Sequence, residues 1–533
     1  MPKQRTDDLL QLVNSLTKGE KRNFRLFAGR NTSAEDAHFF RQLFDVLDKR
    51  GEYDEAFILK KIPAIKKSQL PNIKAHLYRQ LLASLRLLGK NQQEDFQLRE
   101  LIDYAQLLYN KGLYRQSLDM LAKVKDRALQ GQFYAQALEV VEFEKLIESQ
   151  YITRSIEGRA EELTGQTHFL NQMLAQTNQF SNLSLQMYAL FLKTGFAHNQ
   201  KDYQQVQEFF TAHLPSIDFQ DLDFWGKIYY CQAHLWRHHI SQEFSSCYRH
   251  AQRWVDLFRN RPAMIGLNPV LYLKGLHNLL FTLFNSAHYA RFMEGLDLLQ
   301  RFPEEYDLGQ SRNVEGLYRL YWYLQAINRH YMEGTFTEGL QLVPELMELI
   351  AEERFNWDNH RIIVFYYRIA CLYFGSGDFG QTIHFLNLII NQKNPDYRAD
   401  IQCFARILCL IAHFELGNDR LVEYQIKSVY RFLLQMEDMH AVQKAVFGFL
   451  RRTPGMRPAA LRDEFGQLRE KLLLLRDDPF ERRPFLYLDI ISWLECKLEN
   501  RTVQAVVRDQ FLVRQQRKRS GLKNTALFSD DPQ

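Results

Sequence analysis

Proline and glycine are scarce in this chain: 14 Pro and 25 Gly in 533 residues. Long helices therefore need few interruptions, whereas a β-rich chain of this length would need many more turn residues. Cysteine is scarce too, and its six positions (231, 247, 371, 403, 409, 496) show no paired spacing. Reduced thiols in a cytoplasm are the expectation. No apolar run approaches membrane-spanning length; Ile362-Ile363-Val364-Phe365 is cut short by polar residues. Met1 to Asp8 is polar and lacks the apolar stretch of an export signal. Net charge is only +5, but it is uneven. Residues 1–90 hold 18 Lys plus Arg against 10 Asp plus Glu, a net of +8, which leaves −3 for the remainder.

What is abundant is aromatic: 39 Phe and 26 Tyr. Many recur in one register. Tyr366, Ile369, Ala370 and Tyr373 precede a Gly377-Asp378-Phe379 turn, followed by Thr382, Leu386 and Ile389. Related turns stand at Gly112-x-Tyr114, Lys201-x-Tyr203, Ala287-x-Tyr289 and Gly334-x-Phe336, with a weaker one at Gly417. Long helices around Arg154 and Gln242 fill the gaps, so the unit repeats about every 40 to 47 residues. Three positions after the aromatic stands a residue facing the same seam (Ser117, Val206, Phe292, Gly339, Thr382), and four later a large apolar one (Leu121, Phe210, Leu296, Val343, Leu386). These positions share one helix face, and a hairpin with such a face must stack on neighbours to bury it.

The expected fold class is all-α: an α-α superhelix of about eight hairpins preceded by a small basic helical bundle. The expected organisation is a basic bundle at 1–92, the array at 93–450, capping helices at 451–505 and a basic, fraying tail at 506–533. In the bundle, Thr17-Lys18-Gly19-Glu20 has the form of a capping box, Ser33 can cap the next helix, and Gly51 ends it.

The layout resembles the tetratricopeptide repeat. Tyr366, Ile369, Ala370, Tyr373, Phe379 and Thr382 carry the pattern in one unit; Tyr323, Ala326, Ile327, Phe336 and Gly339 carry it in another. The resemblance covers about three quarters of the chain, and it implies a right-handed solenoid that binds peptides or proteins on its concave face.

Candidate residues follow. Asn110, Asn199 and Asn285 recur just before three turns. They suit either a helix-closing left-handed conformation or hydrogen bonds to a peptide backbone, and the cap is favoured. Tyr109, His198, Phe284, Tyr331 and Phe374 would line the same groove wall, although aromatics at helical spacing also serve as core. Lys18, Lys21, Arg22 and Arg25, with Lys60, Lys61, Lys66 and Lys67, could contact phosphates, but no helix-turn-helix or stacking motif accompanies them and a solvated face is the default.

His234, His238, Cys247 and His250 are the one metal-like cluster, with the two histidines four apart on one helix face. The spacing matches no compact zinc motif, and a His-rich helix pair is the preferred reading. Gly375-Ser376-Gly377-Asp378-Phe379-Gly380 matches a dinucleotide-binding pattern on paper, but a helix rather than a strand precedes it, so it reads as a turn. No nucleophile elbow, HExxH or Walker loop is present. The expectation is a cytoplasmic, non-enzymatic scaffold for a protein or peptide, without cofactor, metal or membrane contact. The alternative is a bacterial-type regulator, with nucleic-acid contact through the basic bundle and a partner-sensing array.

Overall fold

A computed structural model describes residues 7–31, 34–89, 94–150, 158–197, 199–392, 399–435, 441–453, 456–476, 478, 481, 485 and 489–519. Among these residues every regular element is a helix, and successive helices pack as neighbours. No described helix is long and apolar enough to cross a membrane. The chain forms two compact units, Met1–Leu174 and Ala175–Gln533, dividing within the 36-residue helix Arg159–Thr194.

The first unit opens with five helices: Asp8–Ser15, Lys18–Asn31, Ala34–Arg50, Glu55–Lys61 and Leu70–Gly89. Asp7 Oδ1 accepts from Leu9 N and Leu10 N and so caps the first. The capping box forms as its residues dictate: Thr17 N donates to Glu20 Oε2 at 2.7 Å, and Glu20 N donates to Thr17 Oγ1 at 3.2 Å. Gly51, at φ +68, closes the third helix. Ser33 lies outside the described residues, as do 90–93, where the sequence places its first boundary. The bundle nevertheless has its own core, with Phe24, Leu43, Phe44, Leu77 and Leu81 at its centre. A separate cluster joins Glu94–Asn110, Tyr114–Gln130 and Tyr134–Gln150. Buried in that cluster, Lys125 Nζ donates to Glu144 Oε2 at 2.6 Å and to Gln166 Oε1 at 3.1 Å.

In the second unit, hairpins follow one another. They are Phe224–Ile240 with Phe244–Asn260, Pro269–Asn285 with Tyr289–Glu305, and Arg312–Glu333 with Phe336–Gly339 and Val343–Ala351. Then come Asn359–Ser376 with Phe379–Ile390 and Ala399–Glu415 with Asp419–Gln435. The first helices of neighbouring hairpins touch one another, and second helices bridge to the next hairpin.

One closing turn recurs in both units. The N–H of Leu113, Phe133, Glu243, His288, Thr335, Asp378 and Asn418 donates to the carbonyl five residues back, at 2.7–3.0 Å. The residue before each donor is left-handed: Gly112, Gln132, Gln242, Ala287, Gly334, Gly377 and Gly417. This is the Schellman closure of a helix. Four of the seven are glycine; Gln132, Gln242 and Ala287 accept a cost of roughly 1–2 kcal/mol for the same geometry. A search for glycine turns therefore passes over Gln132 and expects a long helix around Gln242, where the chain instead turns between Phe224–Ile240 and Phe244–Asn260. It also shifts one unit: Lys201 is inside Gln200–His213, and the preceding helix closes at Gly195, φ +70.

The seam positions behave as their spacing predicts. Ser117, Val206, Phe292, Gly339 and Thr382 are buried, as are Leu121, Phe210, Leu296, Val343 and Leu386. The seam even repeats a hydrogen bond: Ser117 Oγ donates to Ala105 O at 2.8 Å and Cys247 Sγ to Leu235 O at 3.7 Å, each to the facing helix twelve residues back. The glycine-rich stretch is a turn. Gly375 ends inside a helix against the Phe336 ring, where a Cβ would stand 2.3 Å from Phe336 Cγ, and Gly377 closes that helix at φ +91.

Two further hairpins end the unit: Ala441–Arg452 with Pro458–Arg476, and Ile490–Glu499 with Val503–Arg519. Here the structure departs from expectation, because the chain does not fray from 506 but continues as a helix to Arg519. The reason is an apolar edge hidden among the basic residues. Val503, Val506 and Val507 share one face and are buried. Residues 520–533 lie outside the described residues.

Candidate functional site

Phe284, Tyr331 and Phe374 come from three successive first helices. Each stands three residues before its left-handed turn residue, so the shared closure puts all three rings in one register. The helices that carry them are fixed at their starts by Asn268, Ser311 and Asp358, whose side chains accept backbone N–H groups of the first turn. The three rings line one cavity of about 230 Å³, together with Phe336, Cys371 and Gly375. Arg368 spans two of the rings, its guanidinium carbon 5.4 Å from the centroids of both Phe284 and Tyr331. The Tyr331 hydroxyl donates to the Arg368 carbonyl. Burial pushes the Cys371 thiol up to about 11, so it stays protonated and acts as wall.

The opposite wall is supplied by the C-terminal segment. Phe485, Asp489, Val503, Val507, Gln510 and Arg514 complete the cavity. Helix Val503–Arg519 is seated by backbone proximity and by hydrogen bonds. A Cβ on Gly334 would stand 2.5 Å from Arg508 N. Thr337 donates both its N–H and its hydroxyl to Gln504 Oε1 at 2.9 Å, and Arg508 Nη1 donates to the Glu333 carbonyl at 3.1 Å. Phe511 meets the Tyr289 ring edge-on at 4.8 Å, while the Tyr289 hydroxyl donates to Glu333 Oε1 at 2.7 Å. Sequence reasoning missed this wall. Its signal was the i, i+3, i+4 valine spacing at 503, 506 and 507, masked by the arginines around it.

The other candidate residues fall elsewhere. Tyr109 is half-buried in the first unit, donating to Gln150 Oε1 at 2.7 Å and packing on Phe143. Asn110 is exposed and accepts from Gln106. Asn199 caps the start of its helix, its Oδ1 accepting from Asp202 N at 2.9 Å. Asn285 ends its helix with Nδ2 buried and without a hydrogen-bond partner among the described residues. None of the three is the left-handed residue; Gly112 and Ala287, two positions on, hold that role. His198 lies outside the described residues.

On the basic bundle, Lys18 and Arg22 are exposed, but Lys21 and Arg25 face carboxylates. Lys21 Nζ lies 2.7 Å from Asp48, and Arg25 bonds both Asp45 at 2.9 Å and Asp48 at 2.7 Å. Burial works to raise the Asp48 carboxyl, yet hydrogen bonds from Lys21 and Arg25 outweigh it and hold it below the usual carboxylate range. Two of the four candidate cations on this helix, Lys21 and Arg25, are thus neutralised within the bundle.

The histidine cluster is partly assembled: His234, His238 and His250 converge, whereas Cys247 is turned to the Leu235 carbonyl. Comparison with protein-family models, with curated proteins and with solved structures gave no match.

Proposed function

We propose that this chain is a non-enzymatic, tetratricopeptide-like scaffold that holds a protein or peptide segment against the inner face of its hairpin array. The observation that carries this reading is the convergence of Phe284, Tyr331 and Phe374 on one cavity. At about 230 Å³ it is smaller than the roughly 300–1,000 Å³ typical of small-molecule sites. It suits one anchoring side chain of a longer segment, with aromatic walls and Arg368 at its edge. The chain's own helix Val503–Arg519 forms one wall of this cavity, with valines toward it and polar groups at its rim, and this reading takes that arrangement as the pattern a partner segment would follow.

The test is site-specific photo-crosslinking in the full-length chain, with the reactive side chain at Phe284 or Phe374 and, as control, at the exposed Arg301 of the same unit. A discrete protein adduct at the first two positions and not at the third supports the scaffold. Equal adduct patterns at all three remove it. The nucleic-acid reading is the weaker one, because Asp45 and Asp48 already pair with Lys21 and Arg25.

A further inference from the structure

Three histidines unused by the groove meet across the first hairpin of the second unit. His234 and His238 lie on Phe224–Ile240 and His250 on Phe244–Asn260. One ring nitrogen from each lies within 4.8 Å of the others. The rings are nearly parallel: His234 and His250 have centroids 4.7 Å apart at 11°, and His238 and His250 5.5 Å apart at 17°.

Two observations separate this cluster from a merely His-rich seam. The first is polar atoms left over. His234 is only 8% exposed, and its Nε2 is buried without a hydrogen-bond partner among the described residues; His250 Nδ1 is in the same condition. Buried polar groups are nearly always partnered, so two unpartnered ring nitrogens in one cluster need an explanation, and a bound ion supplies one. The second is orientation of the third ring. His238 Nδ1 lies 2.5 Å from Glu243 Oε2, and Glu243 Oε1 accepts from the Tyr203 hydroxyl at 2.7 Å. An ionised carboxylate only accepts, so Nδ1 is the ring's donor to Glu243 and Nε2 is the nitrogen left for a metal. A carboxylate behind a histidine is how ligating imidazoles are commonly fixed.

We infer that His234, His238 and His250 bind one divalent zinc ion, with Glu243 as the positioning residue behind His238 and water at the fourth coordination position. Three neutral imidazoles suit zinc and its neighbours in the transition series, and they offer no oxygen for calcium or magnesium. Tetrahedral zinc at 2.0–2.1 Å sets its ligand nitrogens roughly 3.3 Å apart, so forming the site requires the rings to rotate out of their near-parallel stacking and draw in from as much as 4.8 Å.

The charges around the cluster set the strength. Arg237, Arg249 and Arg253 oppose a dication, although Arg237 Nε is committed to Gln207 Oε1 at 2.6 Å, Arg249 to Ser246 Oγ and Arg253 to the face of Phe219. Glu243 is the carboxylate that answers them. The affinity is therefore expected to be weaker than that of a cysteine-rich structural site.

The experiment uses the full-length chain, freed of any affinity tag and stripped with a chelator. Zinc is titrated against a competing chromogenic chelator, and cobalt serves as a visible probe of coordination. One zinc per chain is expected, with a tetrahedral cobalt spectrum. His250→Gln lowers zinc affinity about 100-fold, and Glu243→Gln lowers it about 10-fold and alters the cobalt spectrum while stoichiometry is retained. His168→Gln, at the surface of the first unit, changes nothing. Absence of stoichiometric zinc in the unmodified chain overturns the proposal, and that result does not depend on any variant folding. Full affinity in His250→Gln, with an unchanged circular dichroism spectrum, also overturns it.

Discussion

Helix Lys18–Asn31 and helix Val503–Arg519 are both rich in lysine and arginine, yet their charge meets different surroundings. In the first, Lys21 and Arg25 turn inward to Asp45 and Asp48 on the neighbouring helix, and Phe24 fills the bundle core. Its charge is used to hold two helices together. In the second, the valine edge is buried over the aromatic cavity, and the arginines lie at the rim, where Arg508 donates to a turn carbonyl and Arg514 lines the opening. Its charge leaves the apolar edge to do the docking. A basic stretch therefore has no single structural meaning; the meaning follows from what stands three and four residues away and from whether carboxylates face it.

The largest test of this contrast is Gly334→Val. The position is left-handed, and a side chain there meets the Arg508 backbone, so the loss should be about 3 kcal/mol, with faster tryptic cleavage within 508–519. Gly377→Val is the matched control. It has the same left-handed backbone but no atom within 4 Å of its Cβ, so it should cost only about 1–2 kcal/mol and leave the C-terminal helix protected. Equal proteolysis in the two variants would show that close approach at Gly334 does not seat the helix.

Next comes Val507→Glu, which removes a buried apolar contact and places a carboxylate at the cavity wall. A loss of about 2 kcal/mol is expected, read as a lower denaturant midpoint. A change below about 0.5 kcal/mol would mean the valine edge does not dock the helix.

Asp48→Asn sharpens the other side. It removes the carboxylate that Lys21 and Arg25 share and should cost about 1 kcal/mol near neutral pH. Because the folded Asp48 carboxyl lies below its unfolded value, its contribution is present above the ordinary carboxyl range and is lost as pH falls through the folded value. Wild type and variant should therefore converge in stability on acidification below about pH 4. A gap that persists in acid refutes the ion-pair account.

The smallest effect is expected from Lys18→Ala with Arg22→Ala. Both side chains are exposed, and less than about 0.5 kcal/mol should be lost. The same double variant should leave DNA retention by the full chain at low salt unchanged; a clear drop would restore the nucleic-acid reading of the bundle.

Several features were legible in the residues because they are local. The capping box at Thr17 and Glu20, the left-handed glycines at 112, 334 and 377, and the buried seam at Ser117, Phe292 and Thr382 each depend on neighbours within about one or two helical turns. The register of Phe284, Tyr331 and Phe374 was legible too, since the same turn closes each helix. The turn at Gln132 was not, because glutamine does not announce a left-handed residue. The roof over the cavity was not, because Gln504 meets Thr337 across 167 residues of chain.

The sequence by itself determined the all-helical class, the period of the hairpins and the face each helix must bury. Those follow from residue spacing against a helix of 3.6 residues per turn. Only the tertiary structure decided which basic residues are neutralised, that the C-terminal valines close over three aromatic rings, and that His234, His238 and His250 converge while Cys247 does not. These depend on contacts between distant segments, and spacing along one helix carries no information about which distant segment arrives to face it.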